Sequence, residues 1–159
     1  MNKIKLFNNE IEIGLQIIII LETVYPKSFD IEMLNYYDYF ILHTHDIGGE
    51  KSVHADIPNR YGELDIKHEL IRNSLQFMIA KGLVSVNIDN GIEYIANEQT
   101  SLFLNNLKED YIQELKRNSR WVHNKFKHYS YENIKQYVSV NKRKWGTESP
   151  FCTIGLTNE

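Results

Sequence analysis

The chain has 159 residues, 42 % apolar and 25 % charged, with a formal net charge of −3. That length is enough to bury roughly two-thirds of the unfolded surface in one core, and the composition excludes a disordered chain and a coiled rod. With one cysteine, Cys152, an intramolecular disulfide and a Cys-based zinc centre are excluded, and the cytoplasm is the expected compartment.

A basic start, Lys3 and Lys5, followed by Ile17 to Leu21, has the outline of a signal peptide. Glu10, Glu12, Gln16 and Glu22 flank that short apolar run, whereas a bilayer span needs about twenty apolar residues. No membrane segment is expected. Instead Ile11, Leu15, Ile18, Ile19 and Val24 fall at helical spacing, and Ile17, Ile20 and Leu21 widen the stripe until it nearly encircles a helix over 10–25. Pro26 stops it.

Ser28 or Asp30 is positioned to cap a second helix whose apolar face is Ile31, Leu34, Tyr37, Phe40 and Ile41, ending near His43. From His43 to Tyr61, nineteen residues with Gly48, Gly49 and Pro58 show no sustained periodicity; irregular segments of that length in compact domains are uncommon and often functional. A third helix is predicted from Gly62 or Glu63 to Lys81, facing Leu64, Ile71, Leu75, Met78 and Ile79 inward, with Gly82 as its stop. Leu83 to Ile88 then alternates with period two, Asp89-Asn90-Gly91 signals a tight turn, and Ile92 to Ala96 returns as the second arm of a β-hairpin.

Beyond the hairpin, Leu102, Phe103, Leu107, Tyr111, Ile112, Leu115 and Val122 predict one long helix over 97–126, with a short helix over 131–140 before the Lys142-Arg143-Lys144-Trp145 cluster. The expected fold is therefore mainly α with a small β-hairpin. Three helices followed by a hairpin is winged-helix order, which gives a winged-helix-like body over 1–96, a helical extension packed on it over 97–145, and an irregular tail over 146–159.

Charge is segregated along this plan. Residues 1–110 carry nine Lys and Arg against seventeen Asp and Glu, a net of −8, while residues 111–145 carry nine against two, a net of +7. The body should repel DNA, and the basic end should be drawn to nucleic acid or to an acidic protein surface. Phosphate contacts dominate DNA affinity, yet the third helix balances Glu63, Asp65 and Glu69 against Lys67, Arg72 and Lys81, and the hairpin adds only Asp89 and Glu93.

Catalytic patterns are sparse. His43, His45 and His54 with Asp46 and Asp56 lie within fourteen residues, but their spacing matches no standard zinc pattern, so hydrogen bonds that order the loop are expected rather than a metal. Gly48-Gly49 near Lys51 and Ser52 lacks the glycine spacing and preceding strand of a nucleotide-binding phosphate loop. No GxSxG or comparable nucleophile motif occurs. No cofactor is expected. In the basic segment, Arg117, Arg120, Lys125, Lys127, Lys142, Arg143 and Lys144 interleave with Trp121, Phe126, Tyr129, Tyr131, Tyr137 and Trp145. Such interleaving grips phosphate and stacks bases; it equally describes aromatics that pack the last helices while the cations stay solvated, or face an acidic partner.

The run Pro58-Asn59-Arg60-Tyr61-Gly62-Glu63-Leu64, preceded by Asp46-Ile47-Gly48-Gly49 and Ser52-Val53-His54 and followed by Ile79-Ala80-Lys81-Gly82-Leu83-Val84, resembles the middle component of bacterial ABC-ATPase three-component systems, among them the Lamassu-type antiphage operons. The resemblance takes in Glu12-Ile13-Gly14-Leu15, Tyr25-Pro26, Tyr94-Ile95-Ala96-Asn97 and Phe103-Leu104, and so covers residues 6–140. It implies a non-catalytic adaptor that joins an SMC-like ABC ATPase to an effector in a defence complex, with non-specific DNA contact inside the complex as one role. The motif contains Arg60 and Glu63, which with His54 are the expected partner-binding residues. A winged-helix transcriptional regulator is the alternative.

Overall fold

A computed structural model of the chain describes residues 2–53 and 60–146. Among them are seven α-helices and one two-stranded antiparallel sheet, in the order α1 (Asn2–Val24), α2 (Ile31–Leu42), α3 (Glu63–Ile66), α4 (His68–Ala80), β1 (Ser85–Asn87), β2 (Glu93–Ile95), α5 (Glu98–Asn105), α6 (Asp110–Phe126) and α7 (Tyr131–Asn141). The mainly α character and the hairpin are as expected from the sequence.

The widened stripe of α1 has a direct structural cause. Ile17, Ile18, Ile19, Ile20 and Leu21 are all buried, because α2, α4, α5 and α6 surround the helix. α2 is also more enclosed than its apolar face implies: Asn35 and Asp38 are buried beside Leu34, Tyr37, Phe40 and Ile41. Asp30 caps α2, its side chain accepting from the Met33 amide at 2.8 Å.

Two predicted helices are each divided. The third breaks at Lys67 into α3 and α4, where the lysine turns inward to bond Asp38 at 3.1 Å. The long helix over 97–126 breaks at Asn106–Glu109 into α5 and α6. Here α6 reaches back to the end of α5 and the turn after it, with Lys116 Nζ donating to the Leu104 carbonyl at 2.8 Å and Gln113 Nε2 to the Leu107 carbonyl at 2.9 Å. The last carbonyls of a helix need such donors. Leu104, Leu115, Val122, Phe126, Ile134 and Val138 join the same hydrophobic core as α1 and α2.

The hairpin pairs Ser85 with Ile95, Val86 with Tyr94 and Asn87 with Glu93. On the other side of β2, Phe29 exchanges both backbone hydrogen bonds with Tyr94, at 3.0 and 2.8 Å. This single bridge ties the segment between α1 and α2 to the sheet. The last described residues form a 3₁₀ turn, Lys142–Lys144, after which Trp145 stacks on Tyr39 at 4.8 Å and meets the edge of Phe40 at 6.3 Å. Residues 147–159 of the expected tail, including Cys152, lie outside the described residues.

Candidate functional site

Where the sequence predicts a nineteen-residue irregular segment, the described part is compact. Thr44–Ile47 makes a 3₁₀ turn, Gly49 donates to the Thr44 carbonyl at 2.7 Å, and Val53 to the Leu42 carbonyl at 3.1 Å. Thr44 Oγ1 donates to the Lys51 carbonyl at 2.8 Å. Gly48 has φ +93°, and a Cβ on Gly49 would lie 2.8 Å from the Thr44 carbonyl oxygen, so both glycines are required by the fold of the loop rather than by a phosphate.

Beneath this loop lies a polar cluster. His43, fully buried, shares a hydrogen bond of 3.0 Å with Glu63, whose carboxylate is also 3.7 Å from Lys67 Nζ. Lys67 bonds the buried Asp38 at 3.1 Å, Asn35 Nδ2 donates to the Leu64 carbonyl at 2.6 Å, and the Tyr39 hydroxyl donates to Asp46 at 2.6 Å. Burial disfavours the charge on Lys67, but Asp38 and Glu63 outweigh it and hold its pKa above the ordinary lysine range. Buried charges persist when so paired. The cluster fastens α3 and the start of α4 to α2.

Of the three expected partner-binding residues, Glu63 is the one whose side chain is described. Glu63 faces inward, engaged by His43 and Lys67. Arg60 opens the 3₁₀ turn Arg60–Gly62; its side chain, and His54 altogether, lie outside the described residues, as does Asp56. Among the described residues no three His, Cys, Asp or Glu side chains converge in a group suited to a metal. Asp38, Lys67 and Asn35 were not legible as a cluster, although Asn35 and Asp38 at i and i+3 inside an apolar helix are a signal of a buried polar face.

The basic segment is deployed on the surface. Arg117, Arg120, Lys125 and Lys127 are exposed along α6 and its C-cap, as are Arg143 and Lys144 on the final turn, while Lys142 is half-buried. Among the described residues no carboxylate pairs Arg117, Arg120, Lys125, Lys127 or Arg143. Trp121 is 38 % exposed, with Lys125 Nζ 5.8 Å from its ring. Together with Arg117 and Asn118 it forms one wall of a cleft of about 620 Å³ whose other wall is the glycine loop. Phe126, Tyr137 and Trp145 instead pack inward. The aromatics of the segment thus divide, Phe126, Tyr137 and Trp145 serving the core and Trp121, Tyr129 and Tyr131 lying at the surface.

α4 and the hairpin present a different chemistry. The exposed face of α4 and its C-cap carries Glu69 against Arg72 and Lys81, and the exposed large side chains nearby are apolar: Ile66 before α4, then Val86, Ile88 and Ile92 on the hairpin. At the base of the hairpin Asn97 caps α5 in a capping box with Thr100. Near the α2 N-terminus, Glu32 accepts from Tyr131 and from Tyr36, each at 2.6 Å, and these hydrogen bonds lower its pKa below the usual carboxylate range.

No helix among the described residues is long and apolar enough to cross a membrane. A family model described as ABC-three component (ABC-3C) system Middle Component 2 matches residues 6–148. No curated protein matches the chain, and no solved structure does.

Proposed function

The chain belongs to the ABC-three component system Middle Component 2 family, and from that premise we propose that it is a non-catalytic adaptor, joining an SMC-like ABC ATPase to an effector in a cytoplasmic, Lamassu-type antiphage complex. The observation that carries this reading is the placement of charge. Exposed cations of 111–145, Arg117, Arg120, Lys125, Lys127 and Arg143 among them, have no carboxylate partner among the described residues, so they are placed to meet an acidic partner surface or nucleic acid held within the complex.

We read the architecture as a winged-helix body with a helical extension packed on it. Support comes from the order of α1, α2, α4 and the hairpin, and from the Phe29 bridge to β2, the place where such folds add a strand between their first two helices. The same topology favours the second reading, a DNA-binding regulator. Against it stands the chemistry of the reader face, where α4 and its C-cap carry an excess of one cation and the hairpin has no cation, although phosphate contacts supply most DNA affinity. Arg60 remains our candidate for partner contact in the loop, since its planar fork pairs a carboxylate in two places.

A salt titration separates the two. The purified chain should bind labelled duplex weakly and without sequence preference, and should co-purify with the ATPase and effector when the three are expressed together. Sequence-selective binding at nanomolar concentration and physiological salt would replace the adaptor by the regulator.

A further inference from the structure

We propose that the outer edge of β1 is a docking site for an extended, basic segment of a companion subunit, which adds to the hairpin as a further strand. This rests on the adaptor reading above and assigns it a surface. Phe29 and Tyr94 exchange both of their backbone hydrogen bonds, so the amide and carbonyl of Tyr94 are directed to Phe29 and away from β1. In an antiparallel ladder the residue opposite, Val86, then directs its own amide and carbonyl outward. No hydrogen bond reaches either group among the described residues. The opposite edge of the sheet is occupied by Phe29; this one is open, and natural proteins seldom leave an edge open without charge or cover.

Side chains around the edge state the chemistry of the occupant. Val86 is 46 % exposed, Ile88 75 % and Ile92 64 %, so the neighbouring strand needs apolar residues. From Gly82 to Leu107 the chain has Asp89, Glu93 and Glu98 and neither Lys nor Arg, so it also needs cations. Nucleic acid is disfavoured by the same count, because that span offers no cation to neutralise phosphate. A second copy would bring this acidic surface against its own twin, where like charges across strands repel. A partner strand alternating apolar residues with Lys or Arg satisfies both demands, with main-chain bonds giving affinity and alternate side chains giving specificity.

The test is amide exchange at β1, in the chain alone and in the complex with its co-expressed ATPase and effector, followed by mass spectrometry of the peptide spanning Val86. Slowing by about tenfold or more in the complex is expected. Val86→Pro should abolish co-purification of the bound subunit, since proline removes an outward donor at an edge position that tolerates it. Asp89→Lys with Glu93→Lys should weaken co-purification in the same way. If Val86→Pro lowers the melting temperature, exchange in the wild-type complex decides alone. A complex that forms while β1 exchanges as in the free chain overturns the proposal and leaves the adaptor reading standing. Protection that rises with the concentration of the isolated chain makes a second copy the occupant and overturns it too. Failure of the wild-type chain to assemble with either subunit removes the adaptor reading itself, and the proposal with it.

Discussion

Lys67 carries more of the architecture than its place in the sequence suggests. It sits at the kink between α3 and α4, bonds Asp38, whose side chain is fully buried, and approaches Glu63. Removing one member of a buried pair leaves the other desolvated, so Lys67→Met should cost about 3 kcal/mol. Urea unfolding checks this, and adding Asp38→Leu should restore part of the loss. A drop below about 0.5 kcal/mol would mark the pair as a surface ornament. Because the folded pKa of Lys67 lies above its ordinary value of 10.5, its contribution is complete below that value and fades as pH rises through the folded pKa. Glu32 behaves in the opposite sense. Tyr131 and Tyr36 hold its pKa below 4.5, so its stabilisation is present above 4.5 and lost as pH falls through the folded value. Glu22, raised by burial, opposes this trend, so the comparison must be between wild type and Glu32→Gln. The variant should show a flatter fall of melting temperature in acid; an unchanged slope would remove Glu32 from the linkage. These residue-scale networks were the least legible part of the chain, since Asp38 meets Lys67 twenty-nine positions away, and no local pattern encodes that.

Among the elements, the glycine loop shows how local chemistry fixes a path. Gly49 approaches the Thr44 backbone too closely for any side chain, and the Thr44 hydroxyl closes the loop on Lys51. Gly49→Ala should therefore destabilise by about 1–3 kcal/mol, read as a lower denaturant midpoint with an unchanged slope; a neutral result would show that the loop is free to move aside. Periodicity revealed α2, the hairpin and the part of α1 from Glu10 onward because each is a uniform pattern bounded by Pro26, Asp30 or Gly91, whereas α1 itself begins eight residues earlier, at Asn2. The same periodicity merged α5 with α6 because the apolar stripe runs on through Leu107 and Tyr111. The break depends on Lys116 and Gln113 reaching back to carbonyls of 104 and 107, an interaction that exists only after the two helices have separated.

For the whole molecule, the two signs of charge belong to elements of different texture. The basic residues are displayed along α6 and the final turn, while the hairpin and α5 carry acidic residues among exposed apolar ones. The segregation was visible from composition alone. What composition did not reveal was that the aromatics of the basic segment split, Phe126, Tyr137 and Trp145 going to the core and Trp121, Tyr129 and Tyr131 to the surface.

That split gives the protein two optical reporters with separate duties. Its two tryptophans differ in exposure, Trp145 at 3 % and Trp121 at 38 %. Iodide should quench the red-side emission of Trp121 and leave the blue-side emission of Trp145, which stacks on Tyr39. Emission from Trp145 then follows unfolding of the α2 face, and emission from Trp121, read on Trp145→Phe, follows occupancy of the cleft between α6 and the glycine loop by any partner. A single quenchable population would show that both rings share one environment. If two are seen, one sample without added dye reports folding and assembly in the same titration.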